Sequence, residues 1–212
     1  MTCEACGNRY PGKTIPVDSD YRCLECGKRV HSNIDNIDKW DNYFHSICVA
    51  ISLNSPCMSR KIGAILVRDK SIISTGYNGS ARGIPHCGKD RFLLDDSLKG
   101  MTDSRLSKEL YSPAEINNTC PRQLLGFDSG QGLQYCPAQH AEVNCISNAA
   151  RLGVSVLNST LYMNSVIPCK NCFSTLINAG IVEIVVDKVT FYDTYTPFIA
   201  NNSSIKIRSF NN

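Results

Sequence analysis

The sequence lacks any apolar run long enough to span a membrane. A bilayer crossing needs about 20 consecutive apolar residues, and no run among the 212 residues approaches that length. The first residues, Met1–Glu4, have neither the basic start nor the apolar stretch of a secretory signal. We therefore expect no membrane partner and a cytoplasmic location.

An excess of charge of one sign is also missing. The chain has 22 Lys and Arg against 19 Asp and Glu, a net charge of +3. Nucleic-acid binding usually shows as clustered basic residues, so we expect no nucleic-acid partner. Apolar residues make up 42% and charged residues 19%, an ordinary globular balance. The length fits one compact domain plus a small appendage.

Cysteine, in contrast, is abundant, with 12 residues. Without an export signal we do not expect disulfides. Thiolates in a Cys-x-x-Cys pair can both reach one tetrahedral metal, so such pairs favour zinc. Three of these pairs occur: Cys3/Cys6, Cys23/Cys26 and Cys169/Cys172.

The first two pairs predict a separate N-terminal module over residues 1–33. Cys3, Cys6, Cys23 and Cys26 have the spacing of a four-cysteine zinc ribbon. About thirty residues cannot build a hydrophobic core, and a structural zinc supplies the missing stability. A structural or docking role is favoured over nucleic-acid reading.

After a linker at 34–37, the patterns predict an α/β domain over residues 38–212. Two short β-rich runs, 63–67 and 71–75, indicate a hairpin. Residues 84–135 are long and irregular, and such insertions tend to be functional. The alternation that follows predicts a mixed sheet with helices on its faces: helix 138–152, strand 159–163, helix 170–179, strand 181–186 and strand 205–209.

The strongest chemical signal is His140-x-Glu142 followed by Pro168-Cys169-x-x-Cys172, the pattern of zinc deaminases. One histidine and two thiolates leave a fourth zinc position open, where water acquires a pKa near about 7. Glu142 can then carry the proton from this water toward the base. A closed structural site usually has four protein ligands and no use for the acid. The pattern therefore predicts hydrolytic deamination.

The sequence between residues 38 and 210 resembles the deoxycytidylate (dCMP) deaminase family. This resemblance implies a three-layer cytidine-deaminase-like fold with a mixed five-stranded sheet. It also implies conversion of dCMP to dUMP and ammonia, which supplies dUMP for thymidylate synthesis. The motifs that carry it are Ser59–Ala64, Ile72–Gly83, Pro85–Cys87, Cys120–Arg122, Gly132–Glu142 and Asn178–Ile181.

The resemblance also implies roles for individual residues. It implies that His140, Cys169 and Cys172 bind zinc and that Glu142 transfers the proton. It also implies that the Ala141 N–H donates a hydrogen bond to the pyrimidine carbonyl. The expected substrate-binding residues are Asn78, Arg60, Lys61 and Tyr192. The expected regulatory-nucleotide residues are Gly76, Tyr77, Asn78, Gly79 and Arg82.

Regulation and assembly follow from the same family. With Mg²⁺, dCTP is expected to activate the enzyme and dTTP to inhibit it, although Ala81 departs from the proline common in the regulatory loop. A homo-oligomer, a hexamer by resemblance, is expected. Some family members carry a further zinc. Cys57, Cys87, Cys120 and Cys136 are candidates for it, with His86 as a substitute, and buried free thiols are the alternative.

Other functions stay open from the sequence. The same chemistry could act on a modified nucleotide, or on single-stranded nucleic acid or tRNA with the ribbon as an anchor. A deaminase of free nucleosides or guanine fits the loop at Gly76 less well. A zinc-bearing interaction protein without activity would not need Glu142.

Overall fold

The computed structural model describes residues 24–26, 33–105, 112–128, 130–191 and 193–210. The chain divides into two units, Met1–Asp41 and Asn42–Asn212, and the sheet and pocket described below belong to the second. No helix within the described ranges is long and apolar enough to cross a membrane.

Several predicted sites fall outside the described residues. Cys3, Cys6 and Cys23 of the predicted ribbon lie there, and so does Tyr192. The fourth ribbon residue, Cys26, lies in a turn and is a half-buried free thiol. The zinc ribbon therefore stays a prediction.

Seven strands and eight α-helices make up the described part of the chain. The strands are β1 (Gly63–Arg68), β2 (Ser71–Tyr77), β3 (Gly79–Ser80), β4 (Ala138–Gln139), β5 (Thr160–Val166), β6 (Glu183–Lys188) and β7 (Lys206–Ser209). The helices are α1 (Asn33–Ser52), α2 (Lys89–Leu94), α3 (Asp96–Arg105), α4 (Pro113–Asn118), α5 (Pro121–Leu124), α6 (Ala141–Arg151), α7 (Lys170–Asn178) and α8 (Thr196–Asn201).

Five strands form one mixed sheet, which confirms the predicted α/β fold with a mixed five-stranded sheet. Their order is β2-β1-β5-β6-β7. Strand β1 is antiparallel to β2 and β5, whereas β5, β6 and β7 run parallel. The predicted hairpin between β1 and β2 is present. It turns through Asp69 and Lys70, both with positive φ (51° and 59°), as in the tight turns that suit twisted hairpins.

Helices cover both faces of this sheet. Strand β1 is buried almost throughout, as expected for a central strand covered on both sides. On one face Phe44 of α1 stacks on Tyr162 of β5, with ring centroids 4.8 Å apart. Gly63 lets α1 approach closely, because a Cβ there would lie 2.1 Å from the Cys48 carbonyl oxygen. On the other face α6 and α7 contribute Cys145, Phe173 and Leu176 to the main apolar core.

Element boundaries differ from the sequence predictions in four places. Helix α1 begins at Asn33, so residues 34–37 are helical rather than a linker. The helix predicted from 138 is divided, because residues 138–139 form β4 and α6 begins only at Ala141. The insertion at 84–135 holds the short helices α2 to α5, and α8 was not predicted. Helices this short bury too few residues to show a clear apolar period.

Candidate active site

The first half of the site lies at the start of α6. His140 is the N-cap residue, with extended backbone angles (φ −76°, ψ 154°), and its side chain makes no capping hydrogen bond. The imidazole is therefore available to a ligand rather than used by the helix. Glu142 lies in the first turn of the same helix.

The second half lies at the start of α7, in the connection that follows β5. Cys169 is the N-cap of α7, and Cys172 lies in its first turn. The Nδ1 atom of His140 lies 3.5 Å from the Cys169 sulfur and 3.3 Å from the Cys172 sulfur. All three ligand atoms lie within 4.8 Å of one another.

These separations fit a zinc site. With zinc–sulfur and zinc–nitrogen bonds of usual length, neighbouring ligand atoms of a tetrahedron lie about 3.5 Å apart. One imidazole and two thiols are also the donor types that zinc prefers. His140, Cys169 and Cys172 can therefore hold zinc with little rearrangement, as the sequence predicted.

The hydrogen bonds within the trio make its two thiols unequal. A hydrogen bond from the Cys172 thiol lowers the pKa of Cys169 to about 3; burial opposes this shift, and a hydrogen bond from His140 adds to it. The same sulfur–sulfur hydrogen bond raises the pKa of Cys172, and the hydrogen bond with Cys169 raises the pKa of His140. Cys169 is thus the thiol of the pair that ionises more readily. The amino ends of α6 and α7 also favour negative charge at this point.

Glu142 is buried beside the trio, with 4% of its surface exposed. Burial raises the pKa of this carboxyl, because a charged form is poorly solvated there. Nearby His140 and the residue's own backbone N–H act in the opposite direction. A carboxyl with a raised pKa can accept and return a proton near neutral pH, as an acid–base catalyst must.

The trio and Glu142 open into one pocket with two differently built walls. One wall comes from β1, β5 and the segments next to them, and the other from the insertion and the residues after it. The lining residues include Ser59, Arg60, Ile62, Asn78, Met163, Ser165 and Ile167 on the first wall, and Arg122, Gly130, Leu133 and Cys136 on the second.

Asn78 supports the first wall. Its side-chain oxygen accepts hydrogen bonds from the Ile62 N–H (2.8 Å) and the Ser55 hydroxyl (2.8 Å). Its amide nitrogen donates to the Arg60 carbonyl (2.8 Å). The Asn78 amide therefore fixes the backbone that carries Arg60.

The cationic residues expected to bind substrate or effector lie in different places. Arg60 lines the pocket, and its charge is one of the groups that lower the pKa of His140. Lys61 is exposed and is not a lining residue of this pocket. Arg82 donates to the Asn148 side chain (2.9 Å) and lines a separate hollow on β2 and α6. The structure thus brings Arg60 to the reacting centre and places Arg82 elsewhere.

The loop expected to bind a regulatory nucleotide has a clear packing role. A Cβ at Gly76 would lie 2.5 Å from both the Ala141 oxygen and the Cys145 nitrogen, so only glycine lets α6 rest on β2. The Tyr77 carbonyl accepts from the Asn144 amide (2.7 Å). Gly79 is buried against Pro56. Nucleotide binding by this loop stays a prediction.

The four cysteines expected to hold a further metal do not form a comparable cluster. Within the described residues, His140, Cys169 and Cys172 are the one group whose ligand atoms lie within 4.8 Å of one another. Burial raises the pKa of Cys87, with smaller contributions from Cys120 and Cys136, so these three thiols are neighbours. A further zinc among Cys57, Cys87, Cys120 and Cys136 stays a prediction.

The sequence analysis missed two residues of the site and its support. Arg122 lines the pocket and is 8% exposed; the sequence analysis included it in the Cys120–Arg122 motif but assigned it no role. Asp193 accepts hydrogen bonds from the Lys170 N–H (2.9 Å) and the Thr196 hydroxyl (2.6 Å). It therefore ties the start of α7, beside Cys169, to α8. The spacing from Asp193 to Thr196 is that of an N-terminal cap and could have revealed this role.

Comparison with known proteins agrees with this geometry. The family model described as the cytidine and deoxycytidylate deaminase zinc-binding region matches residues 38–188. The chain therefore belongs to this family of zinc-binding deaminases.

Two of the relatives found are deoxycytidylate deaminases. The chain is 29% identical to that of Saccharomyces cerevisiae over 171 residues, 81% of this chain and 45% of the yeast protein. It is also 29% identical to that of Mycobacterium phage D29 over 154 residues, 70% of this chain and 94% of the phage protein. The chain thus spans less than half of the yeast relative.

Solved structures support the fold. The dCMP deaminase of cyanophage S-TIM5 in apo form aligns with a TM-score of 0.53 at 18% identity, covering 81% of this chain and 97% of that one. The same phage enzyme in complex with dCMP and dUMP aligns with a TM-score of 0.51 at 18% identity, covering 84% and 99%.

Proposed function

We propose that this chain hydrolyses the 4-amino group of dCMP, giving dUMP and ammonia and so supplying dUMP for thymidylate synthesis. The observation that carries the proposal is the buried Glu142 beside the His140, Cys169 and Cys172 trio in one pocket. The relatives named deoxycytidylate deaminases support the choice of substrate.

Each group of the site has a step in this reaction. Zinc held by His140, Cys169 and Cys172 supplies the Lewis acid that makes water nucleophilic at neutral pH. Glu142 accepts the water proton, passes it to the ring nitrogen, and then helps protonate the departing amine. The Ala141 N–H lies at the first position of α6. Such an N–H has no partner within its own helix and can donate to the pyrimidine carbonyl.

The proposal extends to regulation and assembly by family resemblance. Cys3, Cys6, Cys23 and Cys26 hold a structural zinc. The Gly76–Gly79 loop binds dCTP with Mg²⁺ as activator and dTTP as inhibitor. The working enzyme is a cytoplasmic homo-hexamer.

The first test is an absorbance assay on dCMP with the purified full chain, with and without dCTP and Mg²⁺. We expect loss of the cytosine chromophore, stimulation by dCTP, and no turnover by Glu142→Gln. Turnover of dCMP without any effect of dCTP would support the proposed reaction and contradict the proposed regulation.

Failure on dCMP also has a defined meaning. If wild-type protein with bound zinc leaves dCMP unchanged, the substrate assignment is wrong. Nucleotides with a modified cytosine, single-stranded DNA and tRNA are the next substrates, in that order, and deamination of one of them would keep the reaction type.

A further inference from the structure

The pocket contains a buried arginine without a counter-charge. Arg122 belongs to α5 and is 8% exposed. One terminal nitrogen, Nη1, donates to the Gln131 carbonyl. Its Nε–H is buried and has no hydrogen-bond partner, and within the described part of the chain no carboxylate pairs with this guanidinium.

A second buried arginine of the insertion has the carboxylate partner that Arg122 lacks among the described residues. Arg91 of α2 is also 8% exposed. Its Nε donates to the Asp95 carboxylate (3.0 Å), and its Nη2 donates to the Tyr135 carbonyl (2.5 Å). A buried cation is costly unless it is paired with an opposite charge. Among the described residues, Asp95 supplies that charge for Arg91, and no carboxylate supplies it for Arg122.

The position of Arg122 indicates where its counter-charge comes from. Arg122 lines the pocket that also contains His140 and Glu142, while Arg60 lines the wall built on β1. No hydrogen bond or ion pair between described residues joins Arg122 to Glu142. An anionic group of a molecule that enters the pocket can supply this counter-charge.

We propose that Arg122 binds the 5′-phosphate of the nucleotide substrate, together with Arg60 from the opposite wall, and so selects a nucleotide over a nucleoside. A guanidinium presents a planar fork of N–H donors that matches phosphate oxygens. Arg122 has its Nε–H and further N–H groups left for this contact. This inference rests on the proposed function, because it assigns the phosphate end of the same substrate.

The test compares nucleotide with nucleoside. Zinc-loaded wild type, Arg122→Gln and Arg122→Lys are assayed on dCMP and on deoxycytidine, with Arg151→Gln on the exposed end of α6 as the matched control. Loss of a charge-assisted hydrogen bond predicts a fall of about 10- to 100-fold in kcat/KM for dCMP. The change lies mainly in KM, and deoxycytidine turnover stays the same. Arg122→Lys falls between wild type and Arg122→Gln.

A binding measurement separates this inference from the proposed reaction. By calorimetry, we expect wild type to bind dUMP more tightly than deoxyuridine, and Arg122→Gln to lose that preference. Inorganic phosphate should raise the melting temperature of wild type more than that of the variant. If wild type fails on dCMP but these Arg122-dependent effects persist, the proposed reaction is wrong and phosphate binding by Arg122 stands.

Other outcomes overturn the inference itself. If wild type is active and Arg122→Gln keeps its preference for dCMP, Arg122 does not bind phosphate. Equal losses on dCMP and deoxycytidine with a lower melting temperature would show a structural role. If Arg122→Gln fails to fold, Arg122→Lys becomes the test of phosphate binding, because lysine keeps the positive charge and lacks the planar guanidinium donors. Unchanged KM for dCMP in that variant would contradict the proposal.

Discussion

The two walls of the pocket are built in different ways. The first wall, built on β1 and β5, adjoins the zinc ligands and consists of regular elements. Helices α6 and α7 start next to the five-stranded sheet, and their first residues face each other. The wall that holds Arg122 comes from the insertion, where helices of four to ten residues alternate with turns.

This difference separates chemistry from recognition. Catalytic groups need fixed mutual distances, and packed helices on a sheet supply them. Substrate-binding groups more often lie on connecting segments supported by such a scaffold. We therefore expect variants of the zinc ligands and Glu142 to change kcat, and variants of Arg122 to change KM.

The largest expected effect is loss of a zinc ligand. Cys172→Ala removes one of three ligands, and we expect the zinc content to fall by one equivalent per chain and dCMP turnover to disappear, measured by elemental analysis and the absorbance assay. Cys48→Ala is the matched control, because Cys48 is a buried thiol on α1. A zinc content equal to that of wild type in Cys172→Ala would contradict the assignment.

The second-largest effect is expected at Glu142, which carries the proton. Glu142→Gln keeps the shape of a buried side chain but cannot accept a proton, so kcat should fall about 10²- to 10⁴-fold. Zinc content and KM for dCMP should stay near wild type. A change confined to KM would remove the contrast with Arg122.

A third variant tests whether the first wall depends on close packing. Gly76→Ala places a methyl group against backbone atoms of α6, and overpacking of this kind costs about 1–3 kcal/mol. We expect a lower free energy of unfolding in urea together with a lower kcat, because α6 carries His140 and Glu142. Ala150→Gly, on the exposed side of α6, controls for a simple loss of helix stability.

The smallest effect is expected at Asp193. Partial burial acts to raise the pKa of this carboxyl, but hydrogen bonds from Thr196, Lys170 and Tyr195 outweigh it and lower the pKa below its usual range. Its stabilisation is therefore complete above the ordinary aspartate pKa of about 3.9 and is lost as the pH falls through the lower, folded-state value. Asp193→Asn keeps an oxygen acceptor and loses only the charge, so it should cost less than the roughly 1 kcal/mol of a lost helix cap at neutral pH.

Urea unfolding at several acidic pH values checks this prediction. The stability difference between wild type and Asp193→Asn should shrink as the pH drops below about 4. A constant difference across that range would mean that the carboxylate charge does not matter.

Most of the catalytic wall could be predicted from the sequence. His140, Glu142, Cys169 and Cys172 lie at helix starts with a spacing tied to their chemistry, and the β1–β2 hairpin follows from two β-rich runs around a turn. The structure of the insertion and the role of Arg122 could not be predicted, although Cys120–Arg122 was recognised as a motif. Short helices leave no apolar period, and the burial of Arg122 depends on tertiary contacts that the sequence does not display.

Sequence does not show which of the predicted cationic residues share a pocket. Arg60 lines the pocket with His140 and Glu142, whereas Arg82 pairs with Asn148 at a different hollow, and its predicted role in binding a regulatory nucleotide stays a prediction. An arginine's partners, rather than its neighbours along the chain, decide whether it can bind a ligand.

The antiparallel pairing of β3 with β4 has a consequence for how the insertion can vary. Ser80 and Ala138 are paired, so the insertion lies inside a loop whose two ends these strands hold together. The entropy of closing such a loop grows slowly, by about 0.6 kcal/mol for each doubling of its length. Insertions of very different length could therefore be grafted between the same two strands, which would give one deamination centre a choice of substrates.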